Sequence, residues 1–229
     1  MPFRLPRWLA RVRLPASRPL RALVLLGLAS GMTFLSWSLW PGARAFAVEV
    51  HDARGLRLVE GHAELIDQAA RESGVDPHLI AAVMFMESRG RGGQTSHAGA
   101  FGLMQLMPSA AQDAARRLGI AAPPDEVLRD DDALNVRLGA AHLAWLLEHR
   151  GEWDLEAVLV SYNAGRARLF SWIDRHGSYA AWRAHEHGLH TAGEETTGTL
   201  EYATAALAKR AEFRGRGVVR PVEGVLLLD

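Results

Sequence analysis

Residues 87–108 read ESRGRGGQTSHAGAFGLMQLMP. A carboxylate stands at the end of an apolar segment, PHLIAAVMFM at 77–86, and a Gly-rich loop and a tight GLMQ turn follow. Met107-Pro108-Ser109 then starts another helix. Ile80, Val83, Met84 and Glu87 share one face of a helix predicted over 77–89, so Glu87 lies one turn beyond apolar contacts. Burial there disfavours the anion, and the helix C-terminus adds partial negative charge. Both effects raise the carboxyl pKa, which a general acid working near neutrality requires. Helix position alone favours a surface Glu on an amphipathic helix. The loop's glycines let backbone approach a ligand closely, but Gly richness alone also fits a plain flexible loop; Ser88 and the order of residues from Ser96 to Gln105 separate the readings.

Outward from this stretch the pattern is mostly helical. A helix over 60–73 carries Leu65, Ile66, Ala69 and Ala70 and stops at Gly74, and Asp76-Pro77 reads as the N-cap and first residue of the next. Ala121-Ala122-Pro123-Pro124 is a linker inside the domain. The longest periodic stretch is 130–150, with Leu134, Leu138, Ala141 and Trp145 on one face, Asp130-Asp131-Asp132 at its start and Gly151 at its end. Helices over 154–164 and 166–176 are broken at Gly165, and a last helix spans 199–213. Strand content is expected to be minor and confined to 90–103. The fold class is therefore mainly α, with one domain over 60–214, a linker at 46–59 and a tail at 215–229.

The first 45 residues hold seven Arg and no acid, which leaves the remainder with 19 basic against 26 acidic side chains. That remainder carries no clustered basic excess, which argues against nucleic acid as a partner. The N-terminus has the layout of an export signal: an Arg-rich leader, an apolar run at 22–40, and Ala-x-Ala at 43–45 and 45–47. The run approaches the length of a membrane span. Residues 1–45 are thus either a cleaved signal peptide or an uncleaved inner-membrane anchor, and both place the domain in the periplasm. With no Cys, a disulfide framework, thiol catalysis and a Cys-linked lipid anchor are excluded.

Glu87-Ser88, then Ser96 and Gly99-Ala100-Phe101-Gly102-Leu103-Met104-Gln105-Leu106-Met107-Pro108, resemble the soluble-lytic (SLT) family of peptidoglycan lytic transglycosylases, which have a goose-type-lysozyme fold. Two further segments match that family in order. The run from Asp132 through Asn135 and Gly139 to Leu143 resembles its structural helix, with His142 where Tyr is usual, and AVLVSYNAG at 157–165 resembles its Tyr-Asn-Ala-Gly motif. A fourth motif, Glu-Thr-x-x-Tyr, has its Glu195 and Tyr202 seven residues apart instead of four. Either a short insertion lies between them or Glu195 has no counterpart role. Arg89-Gly90 replace a small residue and Phe, a change expected to widen one wall of the cleft.

The resemblance implies that Glu87 is the catalytic acid and that Ser96 faces muramoyl or peptide groups. It implies that Met104 and Gln105 line sugar subsites, that Tyr162 orients the Glu87 carboxyl, and that Asn163 shapes the cleft. Glu195 and Tyr202 are the remaining substrate-binding candidates, and Leu106 and Met107 are expected in the core. The implied reaction cleaves the bond between N-acetylmuramic acid and N-acetylglucosamine and leaves 1,6-anhydromuramoyl ends, without a cofactor. A hydrolytic muramidase and an inactive peptidoglycan-binding module are the alternatives. The implied partners are glycan strands and, for a domain of this size, an envelope secretion or conjugation machine. His185-Glu186-His187-Gly188-Leu189-His190 lacks zinc-site spacing and reads as a solvated His-rich turn, so no metal ligand is nominated. Trp145, Trp153, Trp172 and Trp182 are read as core, and none is nominated as a ligand residue.

Overall fold

The computed structural model describes residues 41–217. The Arg-rich leader, the apolar run at 22–40 and the apolar end at 225–228 lie outside the described residues. Ten helices follow in order: α1 Pro41–Gly61, α2 Ala63–Ser73, α3 Pro77–Ser88, α4 Pro108–Arg117, α5 Asp125–Asp130, α6 Asp132–Glu148, α7 Leu155–Ala164, α8 Arg166–His176, α9 Tyr179–Ala192 and α10 Thr199–Arg216. Contacts divide the chain into two units, one up to His51 and one from Asp52 onward, and the second holds the side-chain contacts described below. Among the described residues no helix is long and apolar enough to cross a membrane.

Helix α3 is the axis of the fold. Its residues are buried on nearly every side, as an apolar sequence without a polar stripe requires. Asp76 caps it by accepting the His78 N–H at 2.9 Å, with Pro77 in the first turn. Helix α10 packs along α3 and also against α7, while α2 and α4 both pack on α6. Polar contacts at both ends tie α10 to α3. Arg210 Nε donates to buried Asp76 Oδ2 at 2.7 Å near the start of α3, and Tyr202 reaches the other end of α3. The two helices therefore run antiparallel and are fastened at both ends.

Several sequence expectations change. Residues 46–59, expected as a linker, are helical within α1. The strand content expected at 90–103 reduces to two isolated antiparallel bridges, Thr95 with Phe101 and Phe101 with Leu106. The helix expected over 130–150 starts at Asp132, where the Asp131 side chain accepts the Leu134 N–H at 3.0 Å. The supposed His-rich turn at 185–190 lies inside α9, which Ser178 caps. That helix is held by Trp182, 1% exposed and stacked on Trp172 at 5.0 Å. Buried Glu186 supports it further, accepting from the Thr197 N–H and hydroxyl at 2.9 and 2.7 Å.

Candidate active site

The last turn of α3 ends where Arg89 adopts left-handed backbone, φ 53°. Ser88 is buried there, donating to Met84 O and accepting the Gly90 N–H, both at 3.2 Å, so it closes the helix and does not face the cleft. Arg89 turns away as well. Its guanidinium sits 4.9 Å from the Phe85 ring and pairs with Asp52 of α1. A side chain at Gly90 would meet the backbone of Val59 and Leu58 at 2.6 and 2.8 Å. The Arg89-Gly90 pair thus packs α1 against α3, and neither residue lines the cleft described next.

Glu87 lies at the floor of a cleft of about 560 Å³ that runs between the 96–107 loop, α4, α6 and the α7–α8 junction. It exceeds the depressions beside Glu72 and Asp76, of about 240 Å³ each. Burial pushes the Glu87 carboxyl up to about 7, and a hydrogen bond donated by Tyr202 Oη to Oε1, 2.7 Å, offsets part of that rise. The phenols of Tyr202 and Tyr162 are both pushed well above their ordinary value, first by burial and then by the Glu87 charge, so both remain donors.

The loop is built so that a backbone turn forms one wall. Asn135, fully buried on α6, accepts the Met104 N–H at 2.8 Å and donates to Phe101 O and Leu128 O at 2.9 Å each. Gly102 stands against that amide at φ 73°, where a Cβ would come within 2.4 Å of Asn135 Nδ2. Gln105 follows with φ 43°, left-handed without being glycine, and its Nε2 donates to Gly102 O at 2.8 Å. Such backbone is costly for a side chain with a Cβ and persists only where its surroundings impose it. Ser96 Oγ accepts the Ala100 N–H at 2.9 Å, closing the loop's outer part.

Of the residues expected at the site, Glu87, Ser96, Gln105, Tyr162 and Asn163 line this cleft. Tyr162 does not bond the Glu87 carboxyl: its hydroxyl donates to Met104 O at 2.9 Å, and Tyr202 takes the role expected of it. Met104 was expected in a sugar subsite but is 0% exposed, its side chain pressed against Gly139. Its neighbour Met107, expected in the core, is 43% exposed and lines the cleft. Glu195 is exposed and lies outside the cleft lining. The sequence reading missed Trp145 and Arg166, both of which line the cleft, and read His142 as packing alone. The helical face shared by Leu138, Ala141 and Trp145 was the available signal, because it passes from buried at Leu138 to half-buried at Ala141 and Trp145.

Comparison with known proteins agrees with this geometry. The chain is 38% identical over 111 residues to the endo-type membrane-bound lytic murein transglycosylase A of Klebsiella pneumoniae, a match covering 45% of this chain and 54% of that protein. It is 41% identical over 118 residues to the membrane-bound lytic murein transglycosylase C of Salmonella typhi, covering 47% and 32% respectively. The chain thus spans about half the length, or less, of these relatives. Its fold resembles that of an inactive mutant of the lytic transglycosylase Slt from Pseudomonas aeruginosa, with TM-score 0.55, 26% identity, and 70% of this chain against 25% of that one. The 70 kDa soluble lytic transglycosylase of Escherichia coli shares the fold at TM-score 0.55 and 22% identity over 69% of this chain and 25% of that one. With residues 64–184 matching the transglycosylase SLT domain as well, the chain belongs to the SLT family.

Proposed function

We propose that residues 60–214 form a peptidoglycan lytic transglycosylase with Glu87 as its acid and base. The observation that carries the reading is a single carboxyl at the cleft floor, held near pKa 7 by burial and aligned by the Tyr202 hydroxyl. A group with that pKa is substantially protonated at neutral pH and gives up its proton readily. In this scheme Glu87 protonates the glycosidic oxygen between N-acetylmuramic acid and N-acetylglucosamine. The resulting carboxylate then takes the proton of the muramoyl C6 hydroxyl, whose oxygen attacks C1. The bond to the leaving sugar breaks, a 1,6-anhydro ring forms, and no water is consumed. Tyr202 donates to the carboxylate while it is charged, and a charge-assisted bond is the stronger kind. Ser96, Gln105 and Asn163 are proposed to contact sugar or muramoyl groups, while Met104 contributes only its backbone.

The test is mass spectrometry of muropeptides released from purified sacculi. Products lighter by one water, absent with Glu87→Gln, support the transglycosylase. Reducing ends would mean hydrolysis and direct attention to Asp113, the other carboxylate lining the cleft. If sacculus binding persists and neither protein releases product, the binding-module alternative is the correct one. The membrane-bound relatives and the Arg-rich N-terminus support a location in the cell envelope, on the periplasmic side. The finer proposal, a role in local wall opening for a secretion or conjugation machine with residues 22–40 as anchor or signal, is tested by co-purification from membranes.

A further inference from the structure

A run of neighbouring rings leads along the cleft away from Glu87. Tyr162 meets His142 at 5.6 Å, and His142 stacks on Trp145 at 6.1 Å with ring planes 20° apart. Two guanidiniums lie over that same indole: Arg117 at 4.3 Å from the ring centroid and Arg166 at 5.2 Å. Arg166 also lies 5.2 Å from the ring of Phe170. Among the described residues neither arginine has a carboxylate within ion-pairing distance, although eight other arginines of the domain do. The one acid lining this part of the cleft, Asp113, is paired with Arg116. His142 adds no charge. Burial and the Arg117 charge depress it to about 4, against the opposing pull of Asp113, and its Nδ1 is buried without a partner.

Stacking on an aromatic face holds a guanidinium in place while leaving its five in-plane N–H donors unused. Two such groups without an anion lie over one indole, and Arg166 and Trp145 line the cleft that also holds the candidate acid, so they form a preset positive site there. The first turn of α8 adds to the same potential, because Gly165 supplies no side-chain cap and Gly165, Arg166 and Ala167 all line the cleft. A planar guanidinium matches a carboxylate bidentately. On the peptidoglycan reading, on which this inference rests, the strand carries such groups on its muramoyl residues, either on the stem peptide or as the free lactyl acid where the peptide is missing.

We propose that Arg166, stacked on Trp145 beside Arg117, forms a carboxylate-recognition subsite of this cleft, which selects strand segments whose muramoyl residues bear free carboxylates. The full chain is titrated calorimetrically with three probes. These are the disaccharide tetrapeptide, the same compound with every carboxyl converted to the amide, and the peptide-free disaccharide with its lactyl acid. Charged hydrogen bonds of ~1.5 kcal/mol make an acid form bind about tenfold tighter than the amide. The preference should shrink as salt is raised. Tight binding by the tetrapeptide assigns the site to the stem, and by the peptide-free acid to the lactyl group. Arg166→Gln is expected to remove the preference, Arg166→Lys to keep part of it and Arg117→Gln to weaken it, each with wild-type thermal unfolding.

Equal affinity for acid and amide, a preference that survives in the Arg166→Gln, Arg117→Gln double variant, or no binding of any probe overturns the proposal. Product release from sacculi separates the two readings. Anhydro products with no acid preference remove the subsite and leave the transglycosylase. An acid preference without any product does the reverse.

Discussion

Removing the Tyr202 hydroxyl is the sharpest probe of how Glu87 is tuned. Two opposing effects set its pKa: burial raises it, and the 2.7 Å bond from Tyr202 lowers it by favouring the anion, with the net result about 7. Tyr202→Phe keeps the ring and the burial and deletes only the opposing effect, so the pKa must rise further. A hydrogen bond to a charged acceptor contributes ~1.5 kcal/mol or more. That corresponds to a rise of about one pH unit in the alkaline limb of activity. The carboxylate left after proton donation loses the same support, so the plateau rate should fall by up to about tenfold. The assay is the initial rate of muropeptide release from sacculi between about pH 5 and 9, with the Glu87 carboxyl followed directly by carbon NMR in the free protein. Tyr162→Phe serves as a control, because its hydroxyl bonds Met104 O and not the carboxyl. A Tyr202→Phe limb that stays in place, or moves toward acid, would refute the reasoning.

Three more outcomes are expected. Glu87→Gln should stabilise the fold at pH 8. A carboxyl raised from 4.5 to about 7 in the folded chain contributes stability that is present below the unfolded value and lost as pH rises through the folded one. The gain should reach at most about 3 kcal/mol at pH 8 and vanish near pH 4, read from chemical denaturation at both pH values. Asn135→Leu leaves Met104 N–H, Phe101 O and Leu128 O without their partner; a loss of about 3 kcal/mol or more is expected in urea melts, together with weaker sacculus binding. Asp76 ionises below its ordinary 3.8 because, although burial opposes the charge, the Arg210 hydrogen bond and the His78 N–H outweigh it. Its contribution is therefore present above that ordinary value and lost as pH falls through the folded one. Asp76→Asn should cost about 3 kcal/mol at pH 7, with the gap to wild type closing in acid unfolding curves.

The sequence was most legible where local chemistry acts alone. Gly74 ends α2 in left-handed backbone and Asp76 caps α3, because one residue's conformational freedom or one carboxylate's reach decides each. Gly165 divides α7 from α8 for the same reason. What sequence could not give was reach across the fold. Tyr162 and Tyr202 are chemically identical, and nothing in the string says which hydroxyl arrives at Glu87 and which at a backbone carbonyl. The seven-residue spacing between Glu195 and Tyr202 is absorbed before α10, where Thr196 and Thr197 fold onto Glu201 and Glu186, so the tyrosine reaches Glu87 and the glutamate stays outside the cleft lining. In Leu103-Met104-Gln105-Leu106-Met107, the left-handed turn at Gln105 decides which methionine is buried and which is exposed. Trp145, Arg117 and Arg166 meet from three different helices, and no local periodicity records that encounter.

The fastening of α10 to α3 also sets when the proposed site can be complete. Glu87 and Tyr202 are 115 residues apart, and Asp76 and Arg210 are 134 apart. A chain emerging N-terminus first presents its acid long before the helix that aligns it, and contacts this distant form late. Neither clamp exists until nearly the whole domain is synthesised and folded. A nascent or truncated fragment would hold Glu87 without the Tyr202 hydroxyl, so the proposed activity would arrive with the finished molecule and not with its pieces.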